Sequence, residues 1–226
     1  MRSYKQKCGL AKALDLVGDR WTLLIVRELL IRGACRYTDL LRGLPGIASN
    51  MLADRLDEMA VAGIVVREEA PPPVATSLFR LSERGKELEA AILQLGFWGA
   101  PLLAGAESAE VFQAHWLVLP LKALLEDGRP ADPDLEIELH IGDEFITISA
   151  SKGAISVRAG AAQKPSVVLS GKPDTLIQLL SGKLDFQESL KAGVECKGSL
   201  GRLRRVIPTR KRRIAVERPS LAPLRS

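Results

Sequence analysis

The hydrophobic pattern changes period partway along the chain, and no single layer of secondary structure satisfies both parts. Up to about residue 103 apolar residues recur every three or four positions, as Leu52, Leu56 and Met59 do. From Leu135 they alternate, with Leu135, Ile137, Leu139 and Ile141 set against Glu136, Glu138 and His140. The first spacing buries one face of a helix, the second one face of a strand. A helical domain followed by an α+β domain is therefore expected, and 226 residues are enough for two cores.

Composition narrows the class. Apolar residues at 46% and charged residues at 26% are ordinary for a globular chain. No apolar run approaches the roughly 20 residues that cross a bilayer, and the first residues lack a signal-peptide stretch, so a cytoplasmic protein without membrane contact is expected. Cys8, Cys35 and Cys196 are too few and too scattered for a disulfide framework or a zinc site. Net charge is +2 over residues 1–100, −5 over residues 101–200 and +8 over residues 201–226. The acidic middle is a poor surface for nucleic acid, so phosphate contacts must come from the first part or the tail. Ten aromatic residues, widely spread, do not build a base-stacking platform for single-stranded RNA.

Catalytic signatures are missing. His115 and His140 have no metal-ligand spacing, and the Gly171-Lys172 and Gly182-Lys183 pairs lack the flanking residues of a phosphate loop. No nucleophile elbow, dinucleotide fingerprint or HExxH occurs, so no metal, cofactor or enzymatic role is expected.

The first hundred residues read as helix 10–17, a buried helix 21–31, helix 37–42 with Thr38 as a possible N-cap, and a Leu44-Pro45-Gly46 turn. Helix 48–62 follows, then a hairpin of 64–67 and 77–81 around Pro71-Pro72-Pro73, and a helix from Glu83 to about Gly99 that Ser82 caps. That order is a winged helix-turn-helix, in which one helix enters the roughly 12 Å major groove and the hairpin lies along the backbone. With Leu52 facing the core and 100° per residue, Asn50, Ala53, Asp54 and Asp57 point outward, with Ser49 and Arg55 on the flanks. Ser49, Asn50 and Asp54 are the candidate base readers, and Asp54 can alternatively orient Arg55. Arg36, Arg42, Arg55, Arg67 and Arg80 are the candidate phosphate contacts, with Thr38 on the same surface.

In the second part a helix is expected over 111–125, three antiparallel strands over 135–141, 145–150 and 155–158, and a fourth strand at 167–169. Helices 174–180 and 187–191 and a fifth strand at 194–197 complete it. The small residues 101–108 are the expected linker. Residues 202–213 hold seven basic side chains and no acidic one, read as a solvated run or as an arm that reaches DNA.

These residues also carry family resemblances. Cys8-Gly9-Leu10, DLVGDRWTLLIVRELLIRGACRYTDLLRGLPGIASNMLADRLDEMAVAGIV and LFRLSERGKEL resemble the HxlR-type winged-helix transcriptional regulators. The resemblance implies a bacterial regulator, most often a repressor, that binds double-stranded operator DNA as a homodimer through its terminal helices. Leu10, Leu14, Leu88, Ile92, Leu95 and Trp98 would then make the interface. Some relatives use a cysteine at the position of Cys8 as an oxidation sensor, although they often have Cys-Pro where this chain has Cys8-Gly9. Relatives also often place Gln, Lys or Arg where this chain has Ala48-Ser49-Asn50 and Asp54, so base preference does not transfer.

Residues 135–206, with VVLSGKPDTLIQLLSGKLDFQESLKAGVECKGSLGRL, resemble the sterol-carrier-protein-type lipid-binding fold. That resemblance implies an apolar tunnel and an apolar small-molecule effector, with Ile137, Leu139, Ile146, Ile148, Leu176, Ile177 and Leu180 as candidate lining. The expected organisation is a DNA-binding and dimerisation domain over 1–103, a ligand-binding domain over 109–214 and a tail over 215–226. A lipid carrier whose helical half only mediates association is the alternative, and a hydrolase or transferase using Glu136 or Glu138 a third.

Overall fold

The computed structural model describes residues 3–69, 76–105 and 110–207. The chain divides into two compact units, 1–94 and 95–226. The prolines of the expected wing tip, the end of the expected linker and most of the basic run lie outside the described residues.

In the first unit α1 (Gly9–Val17) and α2 (Thr22–Arg32) precede a two-residue strand β1 (Cys35–Arg36) and α3 (Tyr37–Gly43). Then come α4 (Ser49–Val61), β2 (Val65–Glu69) and β3 (Ser77–Leu81). The three strands form one antiparallel sheet in the order β1-β3-β2, with Arg67 opposite Phe79 and Cys35 opposite Phe79 on the other side. The core joins Ile25 and Leu29 of α2, Leu40 of α3, Leu52, Leu56 and Met59 of α4, and Phe79 and Leu81 of β3. Strand β1 is too short for any periodicity to announce it.

Two local expectations change. Thr38 is not the N-cap of α3. The chain enters through Arg36 in extended conformation, and the Asp39 carboxylate accepts from the Arg36 N–H at 3.3 Å, which leaves Thr38 inside the first turn. A carboxylate three residues into the helix satisfies the flanking N–H better than a hydroxyl at that place. The single helix expected from Glu83 to Gly99 is two, α5 (Glu83–Lys86) and α6 (Glu89–Gly99). Ser82 does cap α5, accepting from Gly85 N–H at 3.0 Å, but Leu88 N–H then bonds back three residues to Gly85 and tightens the ladder between them.

The second unit opens with a 3-10 turn (Ala114–Leu117) and α7 (Val118–Leu124), so the helix expected from residue 111 begins later. Pro120 is the reason: its ring lacks the N–H that an earlier α-helical start would bond to residue 116, and proline is tolerated only in a first turn. Strands β4 (Leu135–Ile141), β5 (Glu144–Ser151), β6 (Ala154–Ala159), β7 (Val167–Ser170) and β8 (Glu195–Gly198) form a sheet in the order β6-β5-β4-β7-β8. The β4-β5-β6 meander is antiparallel as expected, but β7 returns parallel to β4, so the sheet is mixed. α8 (Pro173–Leu180), α9 (Phe186–Lys191) and a short α10 (Leu200–Leu203) complete the unit.

Arg205, part of the basic run expected to be solvated, is buried instead. Its guanidinium grips Asp127 through Nε at 2.7 Å and Nη2 at 2.9 Å, and also donates to the carbonyls of Pro133 and Ala150. Charge counting along a run cannot show that one arginine of it faces inward. The Arg205 guanidinium, with N–H groups of Arg129 and Gly153, holds the Asp127 carboxyl well below the usual carboxylate range. Because the folded-state value lies below the unfolded one, the stabilisation is present above the unfolded value of 3.8 and is lost as pH falls through the depressed value. In urea unfolding of the full chain, Asp127→Asn is expected to be less stable than wild type near about pH 7, with the gap closing as the medium is acidified below about pH 4. A gap independent of pH would contradict this.

Candidate DNA-binding interface

The α3–α4 corner is set by two glycines. After Gly43 the chain turns through Leu44, Pro45 and Gly46, and Ile47 N–H bonds back to the Leu44 carbonyl at 3.2 Å. Gly46 has φ +88°, a conformation that side-chain-bearing residues rarely adopt, and Leu44 and Ile47 on either side are buried. Gly43 lies against Glu28 of α2, so closely that a Cβ there would stand 2.2 Å from Glu28 Oε2.

Glu28 is fully buried, an acid in the middle of the most apolar helix. Arg27 donates to its Oε1 from Nε at 3.1 Å and Nη2 at 2.9 Å, and Arg32 donates to Oε2 from Nε at 3.1 Å. Arg27 also reaches the Gly43 carbonyl at 3.5 Å, so this charge cluster ties α2 to the end of α3. The helical reading missed it, yet a visible signal existed: a glutamate flanked by arginines at the preceding and the fourth following position.

Helix α4 projects its leading end outward. Ser49, Asn50, Met51, Ala53, Asp54 and Asp57 are exposed, while Leu52, Leu56 and Met59 are buried, as the angular arithmetic requires. Tyr37 of α3, not among the expected site residues, holds the start of α4 by donating its hydroxyl to the Ser49 carbonyl, and it lies 2.9 Å from Ser49 Oγ. Nothing in its spacing distinguishes this tyrosine from a core residue.

The cations are deployed unevenly. Arg36 is exposed and carries no ion pair among the described residues, and Thr38 is exposed beside it. Arg42 is exposed within 3.5 Å of Asp39. Arg55 turns back from the reading face: it is half-buried between Asp19 at 3.5 Å and Glu58, and Asp54 is not the carboxylate that holds it. On the wing Arg67 donates to Ser77 Oγ, lies 3.7 Å from Glu69 and sits over the Phe79 ring, while Arg80 pairs with Glu68. The outward face of α4 is thus acidic or neutral, and Arg36 and Arg42 are the positive charges nearest its start in sequence that do not pair across the wing.

The expected pairing residues separate into two sets. Leu88 and Ile92 pack half-buried on the core of their own unit. Leu10, Leu14, Leu95 and Trp98 are exposed, Leu10 and Trp98 each at 69%. Cys8 is exposed at the start of α1, where the N–H groups of Ala11 and Leu10 hold its thiol below the ordinary value, whereas burial pushes Cys35 up to about 11.

Of the seven expected lining residues in the second unit, Ile137, Leu139, Ile146, Ile148, Leu176 and Leu180 are enclosed in its core, and Ile177 packs half-buried against it. Two cavities stand out in the structure, and neither is lined by any of these seven. Glu138, expected on the polar side of β4, is also buried, accepting from Ala162 N–H at 2.7 Å and lying 2.6 Å from His140 Nε2. Among the described residues no cluster of potential ligands could hold a metal ion, and no helix is long and apolar enough to cross a membrane.

A helix-turn-helix whose second helix points its N-terminus outward, flanked by a β-hairpin, defines a winged helix-turn-helix protein, here joined to an α+β unit. Comparison with known proteins agrees. The model of the HxlR-like helix-turn-helix family matches residues 16–106, and that of the SCP-2 sterol transfer family matches residues 134–206. The HTH-type transcriptional regulator Rv3095 of Mycobacterium tuberculosis is 36% identical over 137 residues, covering 61% of this chain and 79% of that protein. The HTH-type transcriptional regulator YodB of Bacillus subtilis is 33% identical over 86 residues, 38% of this chain and 76% of that protein. The reduced form of YodB is also similar among solved structures, at 28% identity and TM-score 0.39, covering 45% of this chain and all of that one. The chain belongs to the HxlR-like helix-turn-helix family.

Proposed function

We propose that this protein is a transcriptional repressor that binds operator DNA as a homodimer, with α4 in the major groove and the β2–β3 wing along the backbone. The observation that carries the reading is the outward, solvent-facing start of α4, held by Tyr37 and by the Glu28 cluster beneath the turn. Asn50 is the principal base reader, since its amide matches adenine bidentately, and Ser49 and Asp54 flank it. Thr38, Arg36 and Arg42 lie on the DNA side of α3, and Arg67 and Arg80 exchange their glutamates for phosphates. Arg55 holds the helix in place rather than touching DNA.

Base and phosphate contacts have different signatures. Asn50→Ala is expected to cost about 1–3 kcal/mol on the preferred sequence and much less on unrelated duplexes. Arg36→Ala with Arg42→Ala is expected to weaken binding to all sequences and to flatten the log–log salt dependence by about 1.8. Fluorescence anisotropy with labelled duplexes over a salt series reads both. Equal loss on all sequences for Asn50→Ala would remove it from the base-reading role.

Leu10, Leu14, Leu95 and Trp98 supply the surface shared between protomers, with Leu88 and Ile92 supporting it from the core side. The organisation keeps the DNA-binding and dimerisation domain at 1–103, the sterol-carrier-like domain at 109–214 and a tail at 215–226. The sterol-carrier match supports an apolar effector in the second unit, which would have to part Ile137, Leu139, Ile146 and Ile148 from Leu176, Ile177 and Leu180. Such a ligand regulates only if it binds the DNA-competent and DNA-incompetent forms with different affinity. Oxidation of the exposed Cys8 thiol is a second input to the same equilibrium.

A further inference from the structure

The second unit has a cavity of about 460 Å³, lined by Arg129 on one side and by Ser199, Arg202 and Arg204 on the other, with Arg205 in its wall. Its size falls within the range of small-molecule sites, but its lining is charged where such sites are mostly apolar. Four arginines face two carboxylates there, Asp132 and Asp134. Arg205 is consumed by Asp127, and Arg129 lies 4.0 Å from Asp132. Arg202 and Arg204 are exposed and have no ion pair among the described residues.

We propose that this cavity binds a small organic anion, with Arg202 and Arg204 gripping a phosphate or carboxylate head and Pro133 and Leu135 meeting its uncharged body. Guanidinium groups suit such heads because their planar forks match two oxygens at once. The wall is preorganised: Asp127, Pro133 and Ala150 fix Arg205, so the cavity keeps its shape without ligand. The site is separate from the apolar core of the unit, and the inference does not depend on DNA binding.

Isothermal titration of the full chain with phenyl phosphate, benzoate and the neutral benzyl alcohol tests it. At least one anion is expected to bind saturably and the alcohol not at all, and comparison of the two anions tells which head is preferred. Arg202→Ala with Arg204→Ala, both exposed and expected to melt like wild type, should weaken that binding by about tenfold or more. Arg129→Ala, from the opposite wall, should weaken it as well, and the lysine pair Arg202→Lys with Arg204→Lys should recover part of the loss. Absence of binding by either anion, or equal binding by the alanine variants, overturns the proposal. So does a loss of duplex DNA affinity in the double variant without small-anion binding by wild type, which would assign these arginines to DNA.

Discussion

Gly43→Ala is expected to destabilise the first unit by about 3–5 kcal/mol, a large part of the roughly 5–15 kcal/mol that holds a typical domain folded. The added methyl meets Glu28 Oε2 at 2.2 Å and Cδ at 2.7 Å, too close for any rotation of the methyl to relieve. The carboxylate must withdraw from Arg27 and Arg32, and a buried charge cluster that loses its geometry costs more than the methyl itself. Glu28→Ala alone is expected to cost a similar amount, because Arg27 keeps its burial and loses its counter-charge. In the Glu28→Ala background, however, the obstructing atoms are gone, so Gly43→Ala should then cost little. The two substitutions are therefore strongly non-additive, and a double-mutant cycle from urea midpoints measures it. Simple addition of the two losses would show that Gly43 is required for another reason.

Leu95→Asp combined with Trp98→Asp is expected to turn the protein from dimer to monomer and to weaken binding to a duplex with two half-sites by about 10²–10⁴-fold. Leu95 is 51% exposed and Trp98 69%, three residues apart on one helix, so charges there leave the protomer's own cores intact. Light scattering after gel filtration reads the mass, and binding to a single half-site serves as control because it needs one reading helix only. Should the variant remain dimeric, the shared surface lies elsewhere, and Leu10 and Leu14 of α1 become the residues to test.

Much of this architecture is legible in the sequence because its elements announce themselves by periodicity. The spacing of Leu52, Leu56 and Met59 correctly turned Asn50 and Asp54 outward, and the alternation from Leu135 to Ile141 marked β4. What stayed hidden depends on tertiary partners. Glu28 stands in an apolar run whose period gives no reason to expect a buried acid, and Arg205 stands in a basic run whose charge gives no reason to expect a buried cation. The parallel return of β7 beside β4 is set by how the chain crosses over, which strand spacing does not encode. At the interface, exposure of α4 could be derived from helix geometry, but the inward turn of Arg55 depended on Asp19 and Glu58, remote or unremarkable in sequence.

Selection of genomic fragments by the purified protein, sequenced and repeated over a range of salt concentrations, tests most directly whether α4 reads DNA. Wild type should recover a small set of fragments sharing two related half-sites about one helical turn apart or a multiple of it, with recovery falling steeply as salt rises. The same selection with Asn50→Ala should lose that enrichment while keeping salt-sensitive background binding. An identical set of fragments from both proteins, or no enrichment at any salt concentration, would contradict the role given to α4.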